Sequence, residues 1–144
     1  MLMSIDFAQV RLAPLLRAEA LYLLGDISIG FVICARGGMT ARQAGFHALE
    51  RGELVILTVM TAELEALMDN GLPITYLAES VDETTGKGWY ATFTGPAEVI
   101  IDPLLRRHYQ KIVPGFEAGP GTRVLRLRPQ LIDGHRFQRL AAGP

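Results

Sequence analysis

The stretch from Gly86 to Ile101, GKGWYATFTGPAEVII, decides how the chain is to be read. Its apolar residues alternate with small polar ones. Trp89, Ala91 and Phe93 fall on one face and Tyr90, Thr92 and Thr94 on the other, the period of a strand with one face packed on a core. Gly95 and Pro96 then interrupt the run. Glycine permits a bend and proline withholds a ladder donor, so the pattern predicts one long strand kinked at this pair, as a barrel corner requires. A strand of an ordinary β-sandwich alternates in the same way, and the rest of the chain must choose between the two.

Upstream, Ser28 to Ala35 is a run of branched and aromatic residues, and Arg36-Gly37-Gly38-Met39 has the composition of a hairpin turn. Thr40 to Leu49 follows as a strand with Gly45 in its middle, where a bulge is a commoner reason for glycine than close approach by a ligand or another backbone. Leu54 to Val59 is almost wholly apolar, which predicts burial of both its faces. Thr61 reads as the N-cap of a helix over Ala62 to Asn70, with Glu63 and Glu65 in its first turn and Gly71 at its end. Strand Ile74 to Glu79 and the polar loop Val81 to Thr85 lead into the long strand.

Further from the centre, Asp6 is a candidate cap for a helix from Phe7, divided at Pro14, with a second helix from Pro14 to Leu24, so residues 7–24 are expected to be helical. Asp102-Pro103 opens another helix. Pro114 to Gly121 is expected to be an exposed loop, Thr122 to Arg128 resumes strict alternation, and a short segment from Ile132 to Phe137 precedes a frayed tail over residues 138–144. The order predicts a single domain over residues 1–144, mainly β within the α+β class, built as a small antiparallel barrel with helices at its ends.

The chain has 144 residues with a formal net charge of −1, from 14 Lys and Arg against 15 Asp and Glu. That balance removes the electrostatic basis for nucleic-acid binding or for attraction to an anionic membrane. The leucine-rich stretch Leu12 to Leu24 carries Arg17 and Glu19 and falls short of a membrane span, and the N-terminus lacks the basic flank of a signal peptide, so a cytoplasmic protein is expected. Cys34, the one cysteine, lies in an apolar run and reads as a buried structural thiol. No His, Cys and carboxylate residues have metal-ligand spacing, and no serine or cysteine stands in a nucleophile motif.

The succession of a Gly-Gly hairpin, a short apolar strand ending in Thr58, the helix start Ala62-Glu63-Leu64-Glu65-Ala66-Leu67, the strand Ile74 to Glu79, then Thr85-Gly86-Lys87-Gly88-Trp89 and Gly95-Pro96-Ala97-Glu98, resembles the pyridoxamine 5'-phosphate oxidase-like, FMN-binding split-barrel family. The closing LRLRP, Leu125 to Pro129, with Ile132 to Phe137 resembles that family's last strand. The likeness runs from Leu12 to Phe137 and rests on the order of several short motifs. It implies a six-stranded split barrel with short flanking helices and a homodimer whose two equivalent cofactor sites lie between the subunits.

At the implied site the sequence departs from the family. Many flavin-binding members carry an arginine-threonine pair at the end of the third strand and a lysine at the start of the next helix, the two cations holding the cofactor phosphate. Matched residue by residue, the arginine becomes Leu57, the threonine is kept as Thr58, the turn becomes Val59-Met60-Thr61-Ala62 and the lysine becomes Glu63. A phosphate is held mainly by charge-assisted hydrogen bonds, so exchanging lysine for glutamate turns attraction into repulsion. Thr58, Thr61 and the backbone at Ala62 leave a weak anion site at a helix N-terminus. A cap at Thr61 and a dipole complement at Glu63 account for these two residues equally well, and Arg42 and the arginines of the last strand are other sources of charge.

The resemblance also implies a cleft role for Trp89, where a core or interface tryptophan is the plainer reading, and for Phe46 or His47, of which alternation allows only one to face the cleft. Two functions follow. One is an oxidoreductase that binds FMN or a deazaflavin in a dimer cleft, the ring supplying the redox chemistry and no side chain serving as catalytic acid or base. The other is a split-barrel protein that has lost the phosphate grip and either binds or sequesters a small molecule or acts on another ligand without flavin.

Overall fold

A computed structural model describes residues 10–36, 38–114 and 119–140. The described elements are β1 (Val10–Pro14), α1 (Arg17–Gly25), β2 (Ile29–Arg36), β3 (Met39–Glu50), β4 (Glu53–Val59), α2 (Ala62–Asp69), β5 (Ile74–Asp82), β6 (Lys87–Gly95), β7 (Ala97–Val99), α3 (Pro103–Ile112), β8 (Thr122–Leu127) and β9 (Leu131–Arg139). All pairings are antiparallel and run in the order β1-β9-β6-β5-β2-β3-β4-β8-β7.

β6 and β7 stand far apart in this order yet are separated in the chain by Pro96 alone. One strand therefore bends at the predicted pair and belongs to both ends of the sheet, which closes a ring of six positions: β6 with β7, then β5, β2, β3, β4 and β8. β9 and β1 extend the sheet outside the ring. A side chain at Gly95 would overlap the Arg128 carbonyl, so only glycine allows the crossing. The Arg128 N–H donates to Pro96 O at 3.0 Å and the Gln130 N–H to Thr94 O at 2.9 Å, which holds the two limbs of the bend together.

Alternation assigns the two sides of the ring. Val32, Leu54, Ile56, Ile74, Tyr76, Phe93, Leu125 and Leu127 are buried inside, where α1 adds Ala20 and Leu24 and α2 adds Leu64. On the outer side of β4 and β8, Val55, Leu57 and Val124 are covered by Ile100, by Tyr109 of α3 and by Val113. β4 is thus buried on both faces, as its unbroken apolar run predicts. The α2 and α3 caps also form as expected: Thr61 Oγ1 accepts from Leu64 N at 3.2 Å, and Asp102 Oδ1 from Leu104 N at 2.9 Å with Pro103 in the first turn. Among the described residues no helix is long and apolar enough to cross a membrane.

Three expectations are corrected. Residues 10–14 are not helical: Val10 to Pro14 pair with Arg139 to His135 of β9, and Pro14 ends that edge strand. A helical pattern in so short an apolar run is outweighed by a waiting sheet edge; the proposed cap Asp6 lies outside the described residues. The tail begins later than expected, because Gln138 and Arg139 belong to β9, while residues 141–144 lie outside the described residues. Gly45 carries no bulge, since its pairings with Gly30 and Thr58 continue without a break.

What Gly45 admits is the ring of Tyr76. A side chain at Gly30 would overlap that ring, and one at Gly45 would come within 3.1 Å of Ile56 Cγ2 and 3.4 Å of Tyr76 Cε1. The tyrosine lies across this glycine pair and brings its hydroxyl to His47 Nδ1 at 2.6 Å and to Gly45 O at 3.2 Å. His47 Nε2 stands 2.9 Å from Leu24 O at the end of α1. A ring nitrogen facing a carbonyl must carry a proton, so Nε2 donates to Leu24 O, and burial disfavours a second proton on the ring. Burial pushes the His47 pKa below its ordinary 6.5, against the carbonyl contacts at Leu24 and Ile27, and burial likewise raises that of Tyr76.

Gly30→Ala should therefore cost about 1–3 kcal/mol of stability in urea unfolding, and combining it with Tyr76→Leu should cost less than the sum of the two changes. The histidine makes stability depend on pH. Its folded pKa lies below the unfolded 6.5, so the unfolded chain binds the extra proton and stability falls as pH drops through that value. The slope below it should reach at most about 1.4 kcal/mol per pH unit, and His47→Gln should be less stable overall but flatter in urea midpoint between about pH 7 and pH 5.5.

Candidate functional site

The corner where β4 passes into α2 carries the position of the expected phosphate grip. β4 reaches it already buried, and alternation sends Leu57 outward, under α3, with 1% exposure. The residue that stands where the family has arginine is thus part of a hydrophobic cluster and is directed away from the corner. Its burial is worth about 1.5–3 kcal/mol. An arginine there would place an unpaired cation beneath α3.

Thr58 points the other way and is also buried. Its hydroxyl donates to Ala44 O at 3.0 Å and accepts from Gln43 Nε2 at 2.7 Å, and the same amide donates to the Val59 carbonyl. The hydroxyl proton is committed to a carbonyl and an accepting lone pair to the amide, so Thr58 has no donor left for an anion. Gln43 was not singled out by the sequence. It shares a face of β3 with Gly45, which pairs with Thr58, so alternation and register together were the signal.

Outside this knot lies an open cleft of about 370 Å³ bordered by Arg42, Gln43, Ala44, Val59, Thr61 and Glu63, with Cys34 at its back. Thr61 lines it while capping α2, and Ala62 is the first residue of that helix. The Glu63 carboxylate belongs to the same lining as Arg42, whose Nη1 is paired with Glu79 Oε1 at 3.1 Å and whose guanidinium lies 5.6 Å from the Phe31 ring centre. The other candidate arginines are spent elsewhere: Arg126 on Glu98 and the Tyr109 hydroxyl, Arg128 beside Glu53, and Arg123 on the Thr122 carbonyl. Arg126 is held above its ordinary pKa by the hydrogen bonds it donates to Glu98 and to the Tyr109 hydroxyl.

The structure therefore brings Thr58, Thr61 and Ala62 to one corner and leaves the remaining candidates elsewhere. His47 is in the barrel core, committed to Tyr76 and Leu24. Phe46 packs on the outer cluster with Leu57. Trp89, 7% exposed, is on the inner side of β6 and borders a different cleft. Among the described residues no group of three His, Cys, Asp or Glu side chains could hold a metal ion.

No family model matches the chain. It is 26% identical over 125 residues to Rv0080, a protein of Mycobacterium tuberculosis described as uncharacterized, which covers 84% of this chain and 82% of that one. A Corynebacterium glutamicum protein provisionally described as a pyridoxamine 5'-phosphate oxidase superposes with a TM-score of 0.65 at 21% identity, over 91% of this chain and 96% of its own. A FAD-binding protein of Mesorhizobium loti superposes with a TM-score of 0.69 at 16% identity, over 89% of this chain and 98% of its own. A ring of six strands closed through a bent β6–β7, shared with these structures over nine-tenths of the chain, gives this protein the pyridoxamine 5'-phosphate oxidase-like split-barrel fold.

Proposed function

We propose that the chain acts as a homodimer that holds a flavin-class cofactor, FMN or a deazaflavin, in a cleft closed between its two copies, and that it works as an oxidoreductase on a small molecule there. The observation that carries this reading is an apolar sheet face with half a cleft at its rim. On the outer side of β2, β3 and β5, Ile29 pairs with Phe46, Phe31 with Ala44 and Leu77, and Ile33 with Thr75. Phe31, Ile33 and Leu77 belong to neither buried cluster, and Ile29 is 50% exposed. α3 covers the neighbouring strands β4 and β8 and reaches this face only at its Phe46 and Ala48 end, leaving Ile29, Phe31, Ile33 and Leu77 outside its cluster.

Arg42 and Ala44 lie on this same outer side of β3 and also border the cleft beside α2. A second copy seated on the face would roof that cleft. The fold likeness to a FAD-binding protein supports a flavin as its occupant. A flavin would supply hydride or electron transfer; the chain would supply walls, orientation and exclusion of water. The single buried cysteine suits the reducing cytoplasm, where we place the protein.

The donors of one chain do not fit the cofactor phosphate. Arg42 is already paired with Glu79, Thr58 has no donor to give, and Glu63 brings negative charge to the lining. These same facts favour a second reading, in which the roofed cleft takes a small molecule without a phosphate and no flavin at all.

Light scattering at micromolar concentration should give a dimer, and Phe31→Asp should give a monomer, because a carboxylate in place of the ring would lose its hydration beneath the second copy. A wild-type monomer would remove the shared cleft. Purified protein incubated with FMN or a deazaflavin should keep flavin absorbance through gel filtration, and Glu63→Lys should tighten FMN by about tenfold or more while leaving riboflavin unchanged. A colourless protein that Glu63→Lys does not rescue would sink the flavin reading and leave the second.

A further inference from the structure

The second cleft, of about 500 Å³, lies where β1 and β9 carry the sheet beyond the ring. Register sets two rows of side chains on its floor. Ser80, Trp89, Arg136 and Ala13 are aligned across β5, β6, β9 and β1, and Asp82, Lys87, Gln138 and Arg11 form the next row on the same face. This is the face that carries Ala91 and Phe93 into the barrel core, so the cleft is on the side of the sheet opposite the proposed dimer face.

Its charges are unbalanced. Arg11, Lys87 and Arg136 meet one carboxylate, Asp82. That carboxylate is drawn into its own hairpin turn, where Oδ1 accepts from Thr84 N at 2.9 Å and Thr85 N at 3.4 Å. Lys87, directly across from it, makes no ion pair among the described residues, and neither does Arg11; Arg136 shares Glu19 at 3.2 Å. Adjacent strands are about 4.8 Å apart, which puts the backbones of Lys87 and Arg11 roughly 10 Å apart across β9, a span that one small ligand bridges. Ala13 and the small part of Trp89 that reaches the surface, 7% of it, make the other half of the floor apolar, the rest of the indole being packed in the core.

We infer that this cleft is a binding site for a small planar aromatic anion, its ring against Trp89 and its carboxylate or phosphate between Lys87, Arg11 and Arg136. A pocket of this size with an aromatic floor and convergent cations is the form that small-ligand sites take. A bare inorganic anion would leave Trp89 unused, and a neutral ring would leave two cations unpaired. The site is independent of the flavin reading, because it shares no residue with the cleft beside α2.

Trp89 is the chain's one tryptophan, so its emission reports on this cleft. Titration of the whole protein with naphthyl phosphate, naphthoate and neutral naphthylmethanol, followed by calorimetry and by Trp89 emission, should show saturable binding of at least one anion with one site per chain. The preferred anion tells a phosphoryl from a carboxylate ligand. Lys87→Glu and Arg11→Glu should each weaken binding at least about tenfold, and the milder Lys87→Gln should weaken it measurably, while Glu63→Lys in the other cleft leaves it unchanged. Circular dichroism checks that these exposed substitutions leave the fold intact. Equal affinity for the neutral analogue, indifference to both Lys87 variants, or no saturable heat from the folded protein would overturn the assignment.

Discussion

The contact on which the rest of the structure depends is the crossing of Gly95 over the carbonyl of Arg128. At that point one strand leaves the β5 side of the sheet and joins the β8 side, so the ring is closed by the covalent chain and needs only a few added hydrogen bonds. Closure removes the ring's free edges and divides every strand into an inner and an outer row. The inner rows form one core. The outer rows are left to whatever covers them, and their different covers set the character of each surface.

Over β4 and β8 the cover is α3, and Leu57 is best read as part of that cover's footing. Over β2, β5 and the middle of β3 the described residues supply no cover, and Ile29, Phe31, Ile33 and Leu77 lie there beside the Arg42–Glu79 pair. Over the inner face of the extension made by β9 and β1 the cover is partial, since α1 brings Glu19 to Arg136, and the residues beyond it are cationic around a tryptophan. A sheet face selected only for solubility would mix both signs of charge. Apart from the Arg42–Glu79 pair the outer face is apolar, whereas cations outnumber carboxylates in the lining of the other.

Much of the fold was legible because its signals are local. The alternation through Trp89, Ala91 and Phe93, the break at Gly95 and Pro96, and the caps at Thr61 and Asp102 each depend on a few consecutive residues. What was misread depends on partners far away in the chain. Val10 to Pro14 is a strand because β9, more than a hundred residues later, offers it an edge. Gly45 is explained by the ring of Tyr76, 31 residues on. Of the candidate site, it was legible that Thr58, Thr61 and Glu63 meet at one corner, but not that Trp89, Phe46 and His47 would be dispersed to three different environments, since that follows from which row of a closed ring each one joins.

The same logic bears on why the corner beside α2 offers so little to an anion. Gln43 joins Thr58 to the Val59 carbonyl and so stabilises the end of β4 from within. A charged pair at positions 57 and 63 would need a bound anion to repay its desolvation, whereas Leu57 and the Gln43 bridge are satisfied without any ligand. The corner is therefore stable when empty. Each of these features removes the need for an anion there, and of the two clefts it is the one around Lys87 and Arg11 whose lining carries more cations than carboxylates.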